Sequence, residues 1–337
     1  MIDCPKLSDT FRAQRAIADV AVRTPLIRSR LSDRLGGELL LKLEILQPTG
    51  AFKLRGAAYA ISRLSDAQKA RGVVCCSTGN HGRAVAYAAR EQGIHATVCL
   101  SMLVPEVKVK AIEALGADVR RVGTSQDEAA AEVGRLVEEH GLADIPPFDH
   151  ADIIAGQSTI GLELLEERPD LETLLVPLSG GGLISGVAMA AKAIKPSIRI
   201  VGLSMQRGAA MAASLEANGP VEVEELPTLA DSLGGGIGKR NKYTYQMCRD
   251  LVDDVVLLSE EDIYAGMRSL LMDDQLVAEG ASAVGHAAIL NGSLALTGPT
   301  ASIISGRNVD MQQIVNIAAC WPIQIGDLLV NPLQPEE

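Results

Sequence analysis

From about Gly72 onward the chain alternates short apolar runs of strand type with amphipathic stretches of helix length. Strands separated by helices cannot close as hairpins. They pair in parallel, with helices packed on both faces of the sheet. Residues 72–76 read as a buried strand, 83–92 as a helix ended by Gly93, and 94–100 as a strand. Residues 105–115 read as a helix opened by Pro105 and stopped by Gly116, 119–122 as a strand, and 126–140 as a helix rich in alanine and glutamate. Residues 144–149, with Pro146 and Pro147, interrupt this rhythm and mark a boundary. A second series follows: a helix over 158–167, a strand over 174–178, a helix over 183–194 and a strand over 198–204. Later come a strand over 255–258, an acidic helix start at Ser259, and a strand over 301–304. The fold class is α/β, with two doubly wound parallel-sheet units and a ligand cleft between them.

The length, 337 residues, accommodates two such units, and 47% hydrophobic with 22% charged residues excludes a disordered chain. Aromatics at 3% and a net charge of −11 argue against a nucleic-acid groove, which needs basic charge and stacking rings. The same charge disfavours an anionic membrane surface, and no apolar stretch reaches the length of a membrane span. Met1 to Lys6 lacks the apolar run of a signal peptide, and none of the 6 cysteines falls in a C-x-x-C pair. A cytoplasmic protein is expected, with Cys75, Cys76 and Cys99 as small buried thiols.

Chemistry concentrates where strands end and helices begin. Pro48 and Gly50 set a turn, after which Lys53 opens a helix running to about Leu64. A lysine there faces the positive end of the helix dipole, which lowers its pKa and favours a nucleophilic amine; taken alone, it also fits a lysine snorkelling at a helix start. Ser77-Thr78-Gly79-Asn80-His81-Gly82 lies between a strand and a helix and can hold a small carboxylate, or simply cap a polar turn. Ser179-Gly180-Gly181-Gly182-Leu183 allows backbone N–H groups to approach an anion closely at a helix start. A dinucleotide is less suited than a plain phosphate, because the next strand ends at Gly202-Leu203-Ser204 with no acid to hold a ribose. Ser305-Gly306-Arg307-Asn308 brings a hydroxyl to a strand end, where it can cap a ring nitrogen or a turn. Glu163, Glu166 and Glu167 read as the solvated face of their helix, and His95, His140, His150 and His286 as structural or exposed rather than as ligands.

Taken together and in this order, these segments resemble the serine/threonine dehydratase family of fold-type II enzymes, which use pyridoxal 5′-phosphate. The likeness runs from Thr24-Pro25-Leu26 to Asn308, and the family pattern S-x-K-x-R-G-A stands here as Ala51-Phe52-Lys53-Leu54-Arg55-Gly56-Ala57. The resemblance implies that Lys53 is the Schiff-base lysine and catalytic base, that Phe52 packs on the cofactor ring, and that Asn80 bonds its 3′-oxygen. It implies further that Gly180, Gly181, Gly182 and Leu183 hold the phosphate and that Ser305 faces the pyridine nitrogen. Glu279 stands near the ring, and Ser77, Thr78, Asn80 and His81 surround the substrate carboxylate. The architecture implied is that of the tryptophan synthase β type: residues 1–53 and 151–325 form a large cofactor domain, 54–150 a small domain, and 326–337 a tail.

The activity implied is loss of water from a β-hydroxy amino acid, L-threonine or L-serine, giving a 2-oxo acid and ammonia. The resemblance also implies a small amino-acid partner and a homodimer, and neither nucleic acid nor membrane is expected as a partner. Departures from the pattern sharpen the expectation. Ala51 replaces a serine, Ser179 replaces the first glycine of the cradle, and Gly280 replaces the proline after Glu279. Thr78 stands where racemases of this kind carry a serine, which favours elimination. Ser204 stands where metal-binding relatives place a glutamate, so no metal site is expected. The chain ends soon after Ser305, without room for an appended regulatory domain. Three alternatives remain: a dehydratase of 3-hydroxyaspartate or of a hydroxyectoine-degradation intermediate, with Arg135, Arg207, Lys239 or Arg240 taking a second carboxylate; a serine or aspartate racemase; and a non-catalytic nucleotide-binding module using the glycine turn.

Overall fold

A computed structural model describes residues 4–77, 79–104 and 106–333. Its strands are β1 (Leu26–Arg28), β2 (Leu39–Leu43), β3 (Val73–Cys76), β4 (Ala96–Leu100), β5 (Asp118–Arg121) and β6 (Ala143–Asp144). They continue with β7 (Thr173–Pro177), β8 (Arg199–Met205), β9 (Asp254–Leu258), β10 (Thr300–Ile304), β11 (Ile323–Ile325) and β12 (Leu328–Val330). Six of them form one sheet in the order β1-β2-β10-β7-β8-β9, and four form a second in the order β5-β4-β3-β6. The second sheet is parallel throughout; in the first, only the β1–β2 pair is antiparallel.

Apolar alternation places each sheet between helices. In the large sheet Leu41, Leu175, Val201 and Leu203 face helices Glu260–Met272 and Gly280–Leu290. Leu40, Leu174, Val176 and Ile200 face helices Ala151–Glu167 and Gly182–Ile194 on the other side. The small sheet buries Val73, Cys75, Val98 and Leu100 against helices Lys53–Ser62 and Asn80–Glu91. Capping boxes at Ser65, Ser125 and Ser259 fix three of the helix starts.

Three expectations are corrected. The sheet begins earlier than the alternation suggests: β1 and β2 precede residue 72, and β2 reads as no clean strand because Lys42 interrupts its apolar run. The tail counted from residue 326 includes β12, which pairs with β11 and buries Val330 in the large core. Glu163 is not solvated: it is buried and ion-paired to Lys42 and Arg55, whereas Glu166 and Glu167 are exposed. Periodicity could not separate these three because the partners of Glu163 lie far away in sequence.

Candidate active site

Three loops that leave the carboxyl ends of β3, β7 and β10 converge, as ligand-binding loops of parallel sheets do. After β10, Ser305 accepts a hydrogen bond from the Phe52 N–H at 2.9 Å, and Ala51 pairs with Gly306 as an antiparallel bridge. Gly50, at φ 75°, makes the left-handed turn that brings the chain alongside, and its carbonyl accepts from the Arg307 N–H at 2.9 Å. This seam sets Lys53 at the first position of its helix.

The Lys53 amine donates to the Pro147 carbonyl at 2.7 Å and lies 5.4 Å from the Phe52 ring centroid. Burial of the amine lowers its pKa, the negative field of Glu279 partly opposes that, and the result is about 8. The sequence anticipated the direction, and the largest cause is desolvation. The same linker carries Phe148, whose ring lies where a side chain on Gly180 would have to go and whose backbone and Cβ lie where one on Gly182 would. Asp149 anchors the linker by accepting from the backbone N–H groups of Lys242, Tyr243 and Thr244 at 2.6–2.9 Å.

Asn80 opens the helix after β3. Its amide donates to both carboxylate oxygens of Glu279 (2.9 and 3.1 Å), and its carbonyl oxygen accepts from Asn308 at 2.6 Å. Glu279 is buried, which raises its pKa, and the Asn80 bond works against that rise. His81 is buried beside Lys53. Desolvation and then the lysine's charge depress its pKa to about 3, so its ring is neutral. Its Nε2–H donates to the Ile145 carbonyl at 2.7 Å, which leaves an acceptor nitrogen rather than a donor for any carboxylate. Ser77 is half-buried at the start of this turn, and Thr78 lies outside the described residues.

After β7, Gly181 takes φ 86° and Gly182 begins a helix, whose first N–H groups have no partner within the helix. Leu183 is buried in the second position. Gly181 needs its missing side chain twice over, for its φ and because Thr244 and Cys248 press on it. Ser305, buried after β10, lies 3.1 Å from Ser282, whose own hydroxyl hydrogen goes to the Gly306 carbonyl at 2.7 Å. Ser305 is therefore the donor of that pair.

A desolvated lysine at one helix start, a glycine turn open to an anion at another and a serine hydroxyl at a third strand end suit one ligand type. They fit an aldehyde cofactor carried on an amine and held by a phosphate, and so define an enzyme of that class. The chain belongs to the pyridoxal-phosphate dependent enzyme family, whose model matches residues 17–306. Within it, the chain is a fold-type II enzyme of the serine/threonine dehydratase type. It is 54% identical over 315 residues to a Sinorhizobium fredii protein provisionally named a threonine dehydratase, covering 92% of this chain and 95% of that one. It is 41% identical over 312 residues to the L-threonine ammonia-lyase of Thermotoga maritima, covering 92% and 77%. The solved structure of maize serine racemase superposes with a TM-score of 0.88 at 35% identity, covering 93% of this chain and 96% of that one.

The sequence missed Pro147, Phe148 and Asp149 as parts of the site, although the proline pair marked the segment. It also left Asn308 unassigned. Of the cations considered for a second carboxylate, Arg135 pairs with Glu132 and Glu139, Lys239 with Glu222 at 3.0 Å, and Arg207 lies 3.9 Å from Asp327. Arg240 is exposed. Ser204 is buried, with its hydroxyl on the Met205 sulfur. Among the described residues no group of three His, Cys, Asp or Glu side chains is arranged to hold a metal.

Proposed function

We propose that this chain removes the β-hydroxyl of L-threonine or L-serine as water and releases a 2-oxo acid and ammonia. The observation that carries the reading is a desolvated amine, that of Lys53 at a pKa of about 8, on a segment whose Phe52 N–H is tied to the Ser305 carbonyl at the end of β10. When bound, pyridoxal 5′-phosphate supplies the sink for the electron pair left at Cα. Lys53 would hold it through its amine and, when that amine is free, would serve as the base for the Cα proton. Its amine titrates close enough to neutral pH for both tasks. The Ser305 hydroxyl, which donates to Ser282 in the cofactor-free chain, would turn its hydrogen to the ring nitrogen and, unlike a carboxylate, would not fix a proton there. Charge would then be held less deeply, which would favour departure of the β-hydroxyl as water, its proton drawn from the cofactor phosphate, over return of the proton to Cα.

The remaining roles follow the family resemblance. Gly180, Gly181, Gly182 and Leu183 would present N–H groups to the phosphate, Phe52 would flank the ring, and Asn80 and Glu279 would stand at its edge. Ser77 and the start of the Asn80–Glu91 helix take the substrate carboxylate, with neutral His81 packed beside it. Residues 54–150 act as a small domain that closes on the large one, excluding water while Cα is deprotonated. The family resemblance also supports a homodimer acting in the cytoplasm.

The test is a panel of substrates with the cofactor-loaded protein. Release of 2-oxo acid from threonine or serine, a visible absorption band, and loss of that band in Lys53→Ala are expected. Turnover of 3-hydroxyaspartate alone, or racemisation of serine without 2-oxo acid, would overturn the reading.

A further inference from the structure

Behind the reactive lysine lies a group of four charged side chains with almost no access to water. Lys42 comes from β2, Glu44 from the turn after it, Arg55 from the Lys53–Ser62 helix and Glu163 from the Ala151–Glu167 helix. Their side chains are 0%, 0%, 1% and 5% exposed. Arg55 fills its fork. Nε and Nη2 donate to the two oxygens of Glu44, each at 2.8 Å, while Nη1 and Nη2 donate to those of Glu163 at 2.6 and 2.9 Å. Nη1 also reaches the Thr159 hydroxyl at 3.1 Å, and Nη2 the Val22 carbonyl at 3.3 Å. Lys42 donates to Glu163 and to the Thr24 carbonyl, both at 2.6 Å, and the Thr24 hydroxyl donates to Glu44 at 2.5 Å. Two cations meet two anions, so the group is neutral as a whole.

Stability is a poor reason for such a group. Taking four charges out of water costs about as much as their attraction returns, and apolar side chains of similar volume often do as well or better. What ion pairs of this geometry add is direction. Arg55 follows Lys53 by two positions on one helix, and two positions turn an α-helix by about 200°. The two side chains therefore leave the helix on nearly opposite sides. Whatever holds Arg55 at a fixed azimuth holds Lys53 at a fixed azimuth toward the cleft.

Spacing is fixed at the same place by glycine. A side chain on Gly156 would come within 2.6 Å of the Gly56 Cα, so the Lys53–Ser62 and Ala151–Glu167 helices meet backbone to backbone. The second of these meets the Gly182–Ile194 helix in the same way, since side chains on Gly161 and Gly186 would strike the Val187 and Ile154 carbonyls. The helix carrying Lys53 and the helix opened by the phosphate turn are thus set apart by one intervening helix at minimum spacing. The glycines fix the distance and leave rotation free; the charged group removes the rotation.

We propose that Arg55, held by Glu44 and Glu163, is a positioning residue that aims the Lys53 amine at the carbonyl carbon of the cofactor. The proposal rests on Lys53 being the residue that carries the cofactor, which Lys53→Ala tests separately. Arg55→Lys keeps the charge and loses the fork. The expected result is a folded protein that develops its visible band about tenfold or more slowly at saturating pyridoxal 5′-phosphate, as a small misplacement of a reacting group produces. The pH midpoint of band formation should also move upward, because an amine that wanders is less desolvated. A purely structural role would lower the unfolding midpoint and leave that pH midpoint where it is. Should Arg55→Lys fail to fold, the double variant Lys42→Met with Glu163→Gln removes one charge of each sign and leaves the Arg55–Glu44 fork. It should show the same two changes in smaller degree. A folded variant of either kind with unaltered rate and pH midpoint overturns the proposal. A band that persists in Lys53→Ala overturns the assignment of the lysine, and the proposal with it.

Discussion

Replacing Gly186 by alanine sets two effects of one methyl group against each other. Alanine is the better helix former by about 1 kcal/mol, and Gly186 sits inside the Gly182–Ile194 helix. Its new carbon would lie 2.5 Å from the Ile154 carbonyl oxygen and 2.8 Å from the Ser158 nitrogen, both backbone atoms of the packed Ala151–Glu167 helix. That is about 1 Å inside ordinary van der Waals separation. Neither atom can swing away as a flexible side chain does, so the two helices must part. Overpacking of this kind costs about 1–3 kcal/mol and often more when the obstacle is backbone. The net expectation is a loss of about 1–2 kcal/mol, read as a fall of roughly 1–3 °C in the unfolding midpoint. Gly134 supplies the control. It lies exposed in the Gln126–His140 helix with nothing within 4 Å of the added carbon. Gly134→Ala should therefore stabilise the protein by about 0.5–1 kcal/mol. The assay is thermal or urea unfolding of both variants, with cofactor affinity measured alongside, since only the first displaces the phosphate turn. Equal stabilisation by both would refute the claim that backbone contact sets the helix spacing.

Other outcomes follow from the same geometry. The Lys53 amine has a folded pKa of about 8 against an ordinary value of 10.5, so the folded cofactor-free protein bears a charge penalty below pH 8 that fades as the pH approaches 10.5. Lys53→Met should accordingly raise the unfolding midpoint of the cofactor-free protein at pH 6, with the advantage shrinking by pH 10. Glu279 raises that amine's pKa, so Glu279→Gln should move the pH midpoint of band formation below the wild-type value; no movement would mean that the carboxylate does not face the amine. Asp149→Ala leaves three N–H groups at the start of the Thr244–Leu251 helix without their acceptor. A destabilisation of about 2 kcal/mol is expected in urea unfolding, together with weaker cofactor binding, because Thr244 packs on Gly181. Gly280→Ala would drive a methyl group into the Leu229 carbonyl and should shift the segment that follows it, giving a lower unfolding midpoint and lower cofactor affinity.

What could be read from the sequence was whatever depends on neighbours along the chain. The alternation of strand and helix located β3, β4, β7, β8 and β10 to within a residue or two, because each is an apolar run bounded by turn residues. The turns around Lys53, Asn80, Gly181 and Ser305 stood out because glycine and hydroxyl residues cluster there for local reasons. Partners across the chain were hidden. Lys42 looked like an interruption of a strand and Glu163 like a surface charge, and each makes sense only beside the other. His81 read as a residue for a carboxylate, whereas burial beside a lysine makes it a neutral ring. Pro147 and Phe148 contribute a carbonyl and a packing surface, neither of which has a signature in residue type.

The seam that joins Ala51 to Gly306 is crossed again where Asn308 bonds the Thr49 carbonyl, 259 positions back along the chain. During synthesis on a ribosome, then, the lysine is made early and its surroundings late. Until the segment carrying residues 305–308 has emerged, the amine has no finished pocket and behaves as any surface lysine toward a passing aldehyde. Contacts of such separation form slowly. A chain cut before residue 305 is therefore expected to take up no cofactor.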